Sequence, residues 1–344
     1  MTGMKAILLR EPGGPEQLRL EDVPVPAPEY GQVLVQLKAA ALNRRDLLVR
    51  SREQYRAAMP FIPGSDGAGV VAAVGQNVDH LRVQDEVIIY PSLDWGSFQD
   101  APSPAFRILG GPDNGTYAEY ICISAENVFP KPPALSFESA AAFPLACLTA
   151  WRALITKARL QPGEWVLIHG AGSGTGSFAV QIARQAGARV AVTSHSDEKL
   201  SRARALGAEL GINYSRSEWD VEMKRLMKGS GVDIVVDSVG KATFSRSLGV
   251  LNPGGRLVTF GTTSGALTEL DIRMLYHKQL TVHGTTMGSP QEFAHMLRAV
   301  NTGQILPVID RVFPLSDASR AHEYMDQQEQ FGKIVLSMDE PSLT

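Results

Sequence analysis

Between residues 165 and 285, short apolar runs of strand character alternate with helical stretches, and no other feature limits the fold as strongly. The runs are WVLIH (165–169), RVAVTS (189–194), GINY (211–214), DIVVDS (233–238), RLVTFG (256–261) and LTVHGT (280–285). Parallel strands need a crossover of a dozen or more residues, and helices supply it. Six such runs therefore predict a doubly wound parallel sheet with helices on its faces, an α/β fold. One helix is expected from Ser177, with Phe178, Ile182 and Ala186 about a turn apart and Gly187 as its stop.

The segment HGAGSGTGSFAVQIA follows the first strand and opens that helix. In such a place backbone N–H groups and the helix N-terminus accept a pyrophosphate, and glycines permit its close approach. A strict G-x-G-x-x-G ending on Gly176 would need glycine where Ala171 and Ser173 stand, so position rather than pattern carries the dinucleotide reading. NAD-binding sheets place an acid about 20 residues on, at the end of the second strand, to hold the ribose hydroxyls. Here that place is Ser194, in TSHSDEK. Ser194, Ser196 and Lys199 can donate to a 2′-phosphate, and charge-assisted bonds of this kind are each worth about 1.5–3 kcal/mol, so NADPH is the expected cofactor. Two alternatives stay open: Lys199 as a solvated helix residue paired with a neighbouring acid, and Asp197 turned toward the ribose.

The first 130 residues read as β-rich, with runs from Lys5 to Leu9, Gln32 to Leu37, Gly69 to Val74 and Glu86 to Tyr90. VPVPAP (23–28) is an extended connector, because proline lacks a donor and fixes φ. Ser136 to Lys157 reads as two short helices around Pro144, capped by Ser136. From about Ser289 the tail predicts a helix near Gln291 to Thr302 and a strand KIVLSM (333–338), which needs partners in the N-terminal part. A length of 344 residues suits about two domains. With 44% hydrophobic and 20% charged residues and a formal charge of −3, a disordered, collagen-like or coiled-coil chain is excluded. The balance also argues against nucleic acid as partner. The two cysteines, Cys122 and Cys147, suit a reducing compartment; with no run of 18 apolar residues, no membrane and a cytoplasmic location are expected. The seven histidines show no two-ligand helical spacing, and no G-x-S-x-G nucleophile elbow occurs.

EPGGPEQLRLEDVPVPAPEYGQVLVQLKAAALNRRD, IPGSDGAGVVAAVGQNV, GTYAEYICI, LTAWRAL, the glycine loop and FGKIVL, taken in that order, resemble the medium-chain dehydrogenase/reductase superfamily over nearly the whole chain. Within it the chain is similar to the zinc-free, quinone oxidoreductase-like branch. The resemblance implies a Rossmann doubly wound six-stranded parallel sheet over 147–288 and a β-rich GroES-like catalytic domain from 1–146 and 289–344. Zinc-dependent relatives carry Cys-x-x-Asp where this chain has Asn43-Arg44-Arg45-Asp46, and Gly-His-Glu where it has Gly64-Ser65-Asp66. Their third ligand corresponds to Leu145, four residues before Thr149, with Cys147 two positions off. The four cysteines of a structural zinc are missing from residues 91–115. Asn, Ser and Leu are not zinc ligands, so chemistry without a metal is expected.

Hydride transfer to an acceptor that is already electrophilic, a quinone or an enone, remains; an oxyanion would be stabilised by hydrogen-bond donors and protonated from solvent or a tyrosine. By position, Asn43 either faces the nicotinamide or substrate or caps backbone at a strand end. Asp46 is expected to orient neighbouring backbone or Arg50. Tyr55 is a phenol candidate or a packed aromatic. The resemblance puts Thr149 beneath the nicotinamide, Ser173, Gly174, Thr175 and Gly176 on the phosphates, and Tyr214 near the 2′-phosphate. It puts Gly240, Gly261, Thr262 and Gly284 on the nicotinamide side and Lys333 on the far side. Trp95, Phe98 and Phe106 lie in the stretch that replaces the zinc lobe, as an apolar lid or as packing. Rival functions are a zinc-free alcohol or aldehyde reductase and a cofactor-binding sensor or structural protein with little turnover. Relatives pair through an edge strand, so a homodimer through LTVHGT is expected.

Overall fold

The computed structural model describes residues 3–339. The chain divides into one unit of Cys147–Met287 with Gln304–Leu306, and another made of the chain before Cys147, Gly288–Gly303 and the segment from Pro307 on. The extremes of the expected catalytic part, 1–2 and 340–344, lie outside the described residues.

The first of these units holds the parallel sheet. Its strands are Trp165–His169, Arg189–Ser194, Leu210–Asn213, Val232–Asp237, Leu251–Thr259 and Thr281–Gly284, and their spatial order, numbered along the chain, is 3-2-1-4-5-6. Every neighbouring pair is parallel. The order reverses between the first and fourth strands, which is where a doubly wound sheet opens a crevice at its carboxyl ends. The fifth strand starts earlier than expected: Leu251 pairs with Val232, and after an irregularity the register resumes at Arg256 opposite Ile234. One core cluster of this unit includes Leu167, Ala191, Val235 and Leu257, with Trp219 and Met223 from the helix Trp219–Leu226.

The helix after the glycine loop spans Gly174–Gln185 rather than beginning at Ser177. Ser173 is its N-cap, its hydroxyl oxygen accepting the Gly176 N–H at 2.9 Å, so the glycines form the first helical turn instead of leading into it. Phe178, Ala179, Val180, Ile182 and Ala183 are buried, and Gly187, at φ +77, closes the end as expected.

In the other unit seven strands form one mixed sheet. Ile309–Pro314, Lys333–Ser337, Gln32–Ala41, Asp66–Val74, Glu86–Ile89 and Val128–Pro130 lie side by side, and Tyr120–Ser124 also pairs with Gln32–Ala41. The tail strand joins the N-terminal strands antiparallel, with Val335 opposite Ala41, while Ala41 also faces Asp66. Residues 62–66 and 108–117 meet backbone to backbone: a Cβ on Gly110 would lie 2.2 Å and one on Gly115 1.9 Å from the Gly64 carbonyl oxygen. Trp95 is buried and packs its ring edge-on against Phe106 at 5.3 Å, while Phe98 is exposed. Trp95 and Phe106 thus pack the shortened lobe rather than form a lid.

Phe178 is fully buried. Phe178→Ala is expected to lower the unfolding free energy by about 3–5 kcal/mol in urea titrations, with the parallel sheet as the element lost.

Candidate functional site

Because all six strands of the parallel sheet run the same way, His169, Ser194, Asn213, Asp237, Thr259 and Gly284 end on one edge. Most of the sequence-predicted cofactor residues gather there. The turn after His169 is held by Gly170 at φ +74 and by Ser173, which donates to the Gly170 carbonyl at 2.9 Å. A Cβ on Gly176 would sit 2.6 Å from that carbonyl oxygen, so only glycine lets helix and turn approach this closely. Gly174 and Thr175 bring first-turn N–H groups, which have no partner within the helix, to the same place. The turn therefore fits a pyrophosphate.

Two buried polar groups set this edge. Asp237 accepts the N–H groups of Val239 and Gly240 at 2.8 and 3.0 Å and the Thr243 hydroxyl at 2.7 Å, which fixes the turn carrying Gly240. Gly240 has φ +89, and a Cβ on Gly261 would lie 2.2 Å from the Ser238 carbonyl oxygen, so the loops after the fourth and fifth strands cross in contact. Thr262 is exposed, its carbonyl accepting the Gly265 N–H at 3.0 Å, and Gly284 is exposed at the end of the sixth strand. His169 bridges the Thr193 and Ser247 hydroxyls, each at 3.0 Å from a ring nitrogen, and burial pushes its pKa down to about 4.

At the end of the second strand Ser194 is buried and its hydroxyl accepts the Ser196 N–H at 3.2 Å; Ser196 in turn caps the helix Asp197–Ala205 through the Lys199 N–H. Lys199 is buried rather than solvated. Tyr214 is half exposed, its N–H on the Ser194 carbonyl at 3.0 Å and its hydroxyl 3.4 Å from His195 Nδ1. Asp197 does not stand free to turn to a ribose: Asn213 donates to it at 2.8 Å and Arg216 ion-pairs with it. Arg216 is unmarked in the sequence, because only the pairing of the second and third strands brings it there. Thr149 is buried in the helix Pro144–Trp151.

The second group of predicted residues lies in the mixed sheet. Strand pairing brings the ends of Gln32–Ala41, Asp66–Val74 and Lys333–Ser337 together, and three polar side chains meet in the interior. Asp66 Oδ2 accepts from Asn43 Nδ2 at 2.9 Å and from Lys333 Nζ at 3.1 Å; Lys333 also donates to Asn43 Oδ1 at 2.6 Å; and Asp66 Oδ1 accepts the Leu145 N–H at 2.8 Å. Asn43 thus does more than cap backbone. Lys333, carried over as a cofactor residue, belongs with Asn43 in this cluster. An amide has two N–H donors and an ammonium three, so one on each finds no acceptor among the described residues.

Asp46 is fully buried, and its Oδ2 accepts the Asn43 N–H and the Tyr117 hydroxyl, both at 2.8 Å. It thus orients neighbouring backbone. Its cation is Arg45, at 3.7 Å, not Arg50, which reaches His322 and Asp326 instead. Desolvation holds the Asp46 carboxyl above its ordinary pKa, against the pull of Arg45 and the two donors. Burial likewise raises Tyr117, a tyrosine passed over in the sequence because nothing local marks its partner. Tyr55 packs edge-on to Phe61 at 6.5 Å against the core, as an aromatic body.

Residues 29–133 match the alcohol dehydrogenase GroES-like domain and residues 174–302 the zinc-binding dehydrogenase family. A zinc-type alcohol dehydrogenase-like protein of Schizosaccharomyces pombe is 34% identical, covering 98% of this chain and 99% of its own length. The quinone oxidoreductase of Mus musculus is 32% identical, covering 97% of each. A solved structure described as an NAD-dependent alcohol dehydrogenase superposes with a TM-score of 0.91 at 40% identity, over 98% of this chain and all of that one (100%).

Zinc does not fit the donors present. Asn43, Ser65 and Leu145 stand at the three expected ligand positions, and among the described residues no group of three or more His, Cys, Asp or Glu gathers. Asp66, the acid beside Asn43, already takes donors on both oxygens.

Removing Lys333 leaves a buried, uncompensated carboxylate. Lys333→Met is expected to cost about 3–5 kcal/mol in urea unfolding, and Asp66→Asn in the same chain to recover much of it. His169 has a folded pKa of about 4, below its ordinary 6.5, so its contribution to stability is fully present above pH 6.5 and is lost as pH falls toward 4. Unfolding free energies measured from pH 7.5 down to 4.5 should fall less steeply in His169→Gln than in the parent.

Proposed function

The chain belongs to the medium-chain dehydrogenase/reductase superfamily, and from that premise we propose that it is an NADPH-dependent reductase delivering hydride to a quinone or an α,β-unsaturated carbonyl without a metal. As an oxidoreductase of this family it works with a nicotinamide cofactor on small-molecule substrates. The observation that carries the metal-free reading is the Lys333 ammonium held between Asp66 and Asn43.

Bound reduced nicotinamide supplies the hydride. The residues that would hold it are the Ser173–Gly176 turn for the pyrophosphate, Ser194, Ser196, Lys199 and Tyr214 for the adenosine side, and Gly240, Gly261, Thr262 and Gly284 for the nicotinamide side. Hydride addition to a quinone or enone places negative charge on the acceptor oxygen, and donors fixed in advance stabilise such charge without reorganising. The spare N–H of Asn43 and of Lys333 are donors of that kind. Their positions are fixed by Asp66, whose carboxylate also keeps the ammonium charge balanced in the interior. Proton delivery to the reduced acceptor is assigned to solvent.

NADPH over NADH is supported by the absence of an acid at Ser194 and by the engagement of Asp197 with Asn213 and Arg216. The protein described as NAD-dependent is a relative at 40% identity, and its cofactor is its own. For the homodimer, the sixth strand of the parallel sheet is an edge, Val282 on it is exposed, and Leu267, Leu270, Ile272 and Tyr276 just before it are exposed as well. An open strand edge with apolar neighbours suits an isologous pairing with a second copy.

Oxidation of NADPH by naphthoquinones and enals, with simple alcohols and NADP+ run beside them, tests the function. Turnover of quinone or enal is expected, with Asn43→Ala lowering kcat by about 10²-fold, as for loss of one preorganised donor. Turnover of alcohols alone would favour the zinc-free alcohol or aldehyde reductase, and tight cofactor binding with no oxidation by any electrophile would favour the sensor or structural protein. Light scattering should give twice the chain mass, and Val282→Lys should halve it.

A further inference from the structure

We infer that Arg216 is the residue that makes the adenosine end of the site selective for a 2′-phosphate, and that it does so by cancelling the charge of Asp197. This rests on the NADPH reading above and assigns it to a pair of residues.

Asp197 is the first residue of the helix Asp197–Ala205, three positions beyond the strand-end residue Ser194, where an acid would decide between the two cofactors. Left alone it would repel a phosphate dianion and offer acceptor oxygens to ribose hydroxyls, favouring the cofactor without the phosphate. It is not left alone. Asn213 Nδ2 donates to Asp197 Oδ1 at 2.8 Å, and Arg216 ion-pairs with Oδ2. Arg216 is carried by a turn that the second and third strands build together. The Tyr214 N–H bonds the Ser194 carbonyl at 3.0 Å, the Ser215 N–H bonds Asn213 Oδ1 at 3.0 Å, and the Arg216 N–H bonds the Asn213 carbonyl at 3.1 Å. The same Asn213 side chain therefore shapes the turn and touches the acid.

Both partners are largely in water, with side-chain exposures of 73% for Arg216 and 50% for Asp197. An exposed pair of this sort contributes little to folding, so its consequence is for charge at the site. With the pair formed, Asp197 presents no net charge beside Ser194 and Ser196, and the guanidinium keeps donors for a second anion, since its five N–H groups exceed what one carboxylate can take. Arg216→Ala would expose the acid. The site would then favour two ribose hydroxyls over a 2′-phosphate without any change in Ser194, Ser196 or Lys199.

Calorimetric titration with adenosine 2′,5′-bisphosphate and with 5′-AMP reads this apart from turnover. The parent should prefer the bisphosphate, Arg216→Ala should lose about tenfold or more of that preference, the size of one uncancelled carboxylate charge beside a phosphate, and Asp197→Asn added to Arg216→Ala should restore most of it. The ratio of KM for NADPH to KM for NADH should move the same way. Arg216→Lys keeps the charge without the fork and should fall between, and melting temperatures of all variants should stay close to the parent because the pair is exposed. A parent that prefers the bisphosphate with an Arg216→Ala variant that prefers it equally would overturn the role of Arg216. Loss in Arg216→Ala with no recovery in the double variant would overturn the cancellation of Asp197. A parent with no preference at all would instead remove the NADPH reading itself.

Discussion

The Asp66 carboxylate, buried with no exposed surface, is the constraint on which the mixed-sheet unit turns. Taking a charge out of water costs several kcal/mol, and the interior accepts it only when excellent geometry and enough donors return that energy. Here the donors come from three separate places: the ammonium of Lys333, the amide of Asn43 and the backbone N–H of Leu145. The first two lie where they do only if the strands around Ala41, Asp66 and Lys333 are in register. A slip of one residue would turn a side chain to the other face and leave a charge without its partner. The cluster therefore specifies a register as well as satisfying a charge.

In the parallel-sheet unit the same logic works through backbone. Loops at the carboxyl edge carry few side chains that need placing, and what matters is where their N–H and C=O groups point. Asp237 and Ser173 do that pointing, by taking N–H groups that would otherwise be unpaired. Glycine at 176 and 261 removes the Cβ atoms that would hold the pieces apart. His169, neutral between two hydroxyls, ties the first strand to the second and to the helix Phe244–Val250. Buried polar groups of this kind, fully satisfied, stiffen the edge they line.

How much of this is legible in the sequence follows from how far apart the interacting residues lie. The six strands announce themselves because period and glycine are local signals, and so does the glycine turn. The helix start is misread by three residues because an N-cap serine and a phosphate-turn serine look alike; only the bond from the Gly176 N–H to Ser173 separates them. Asp66 and Lys333 lie 267 positions apart, so nothing short of the sheet topology pairs them, and a lysine in FGKIVL reads as easily as a cofactor contact. The same holds for Asp46 with Tyr117, 71 positions apart. Asp197 and Arg216 are closer in sequence, yet their meeting depends on two strands lying side by side.

The tail strand that lies between Ile309–Pro314 and Gln32–Ala41 has a consequence for the order in which the molecule can be made. On a ribosome the parallel sheet is complete once residue 284 has emerged, and it can close from one nearly continuous stretch. The mixed sheet cannot. Until residue 333 appears, its central strand lacks a neighbour and Asp66 has no ammonium, so the first-made half of the unit waits as an open edge around an unpaired acid. Long-range pairings of this kind close slowly and leave strands exposed meanwhile. Nascent chains should therefore be most vulnerable to self-association in the interval between the two closures, a hazard set by topology and not by the stability of the finished fold.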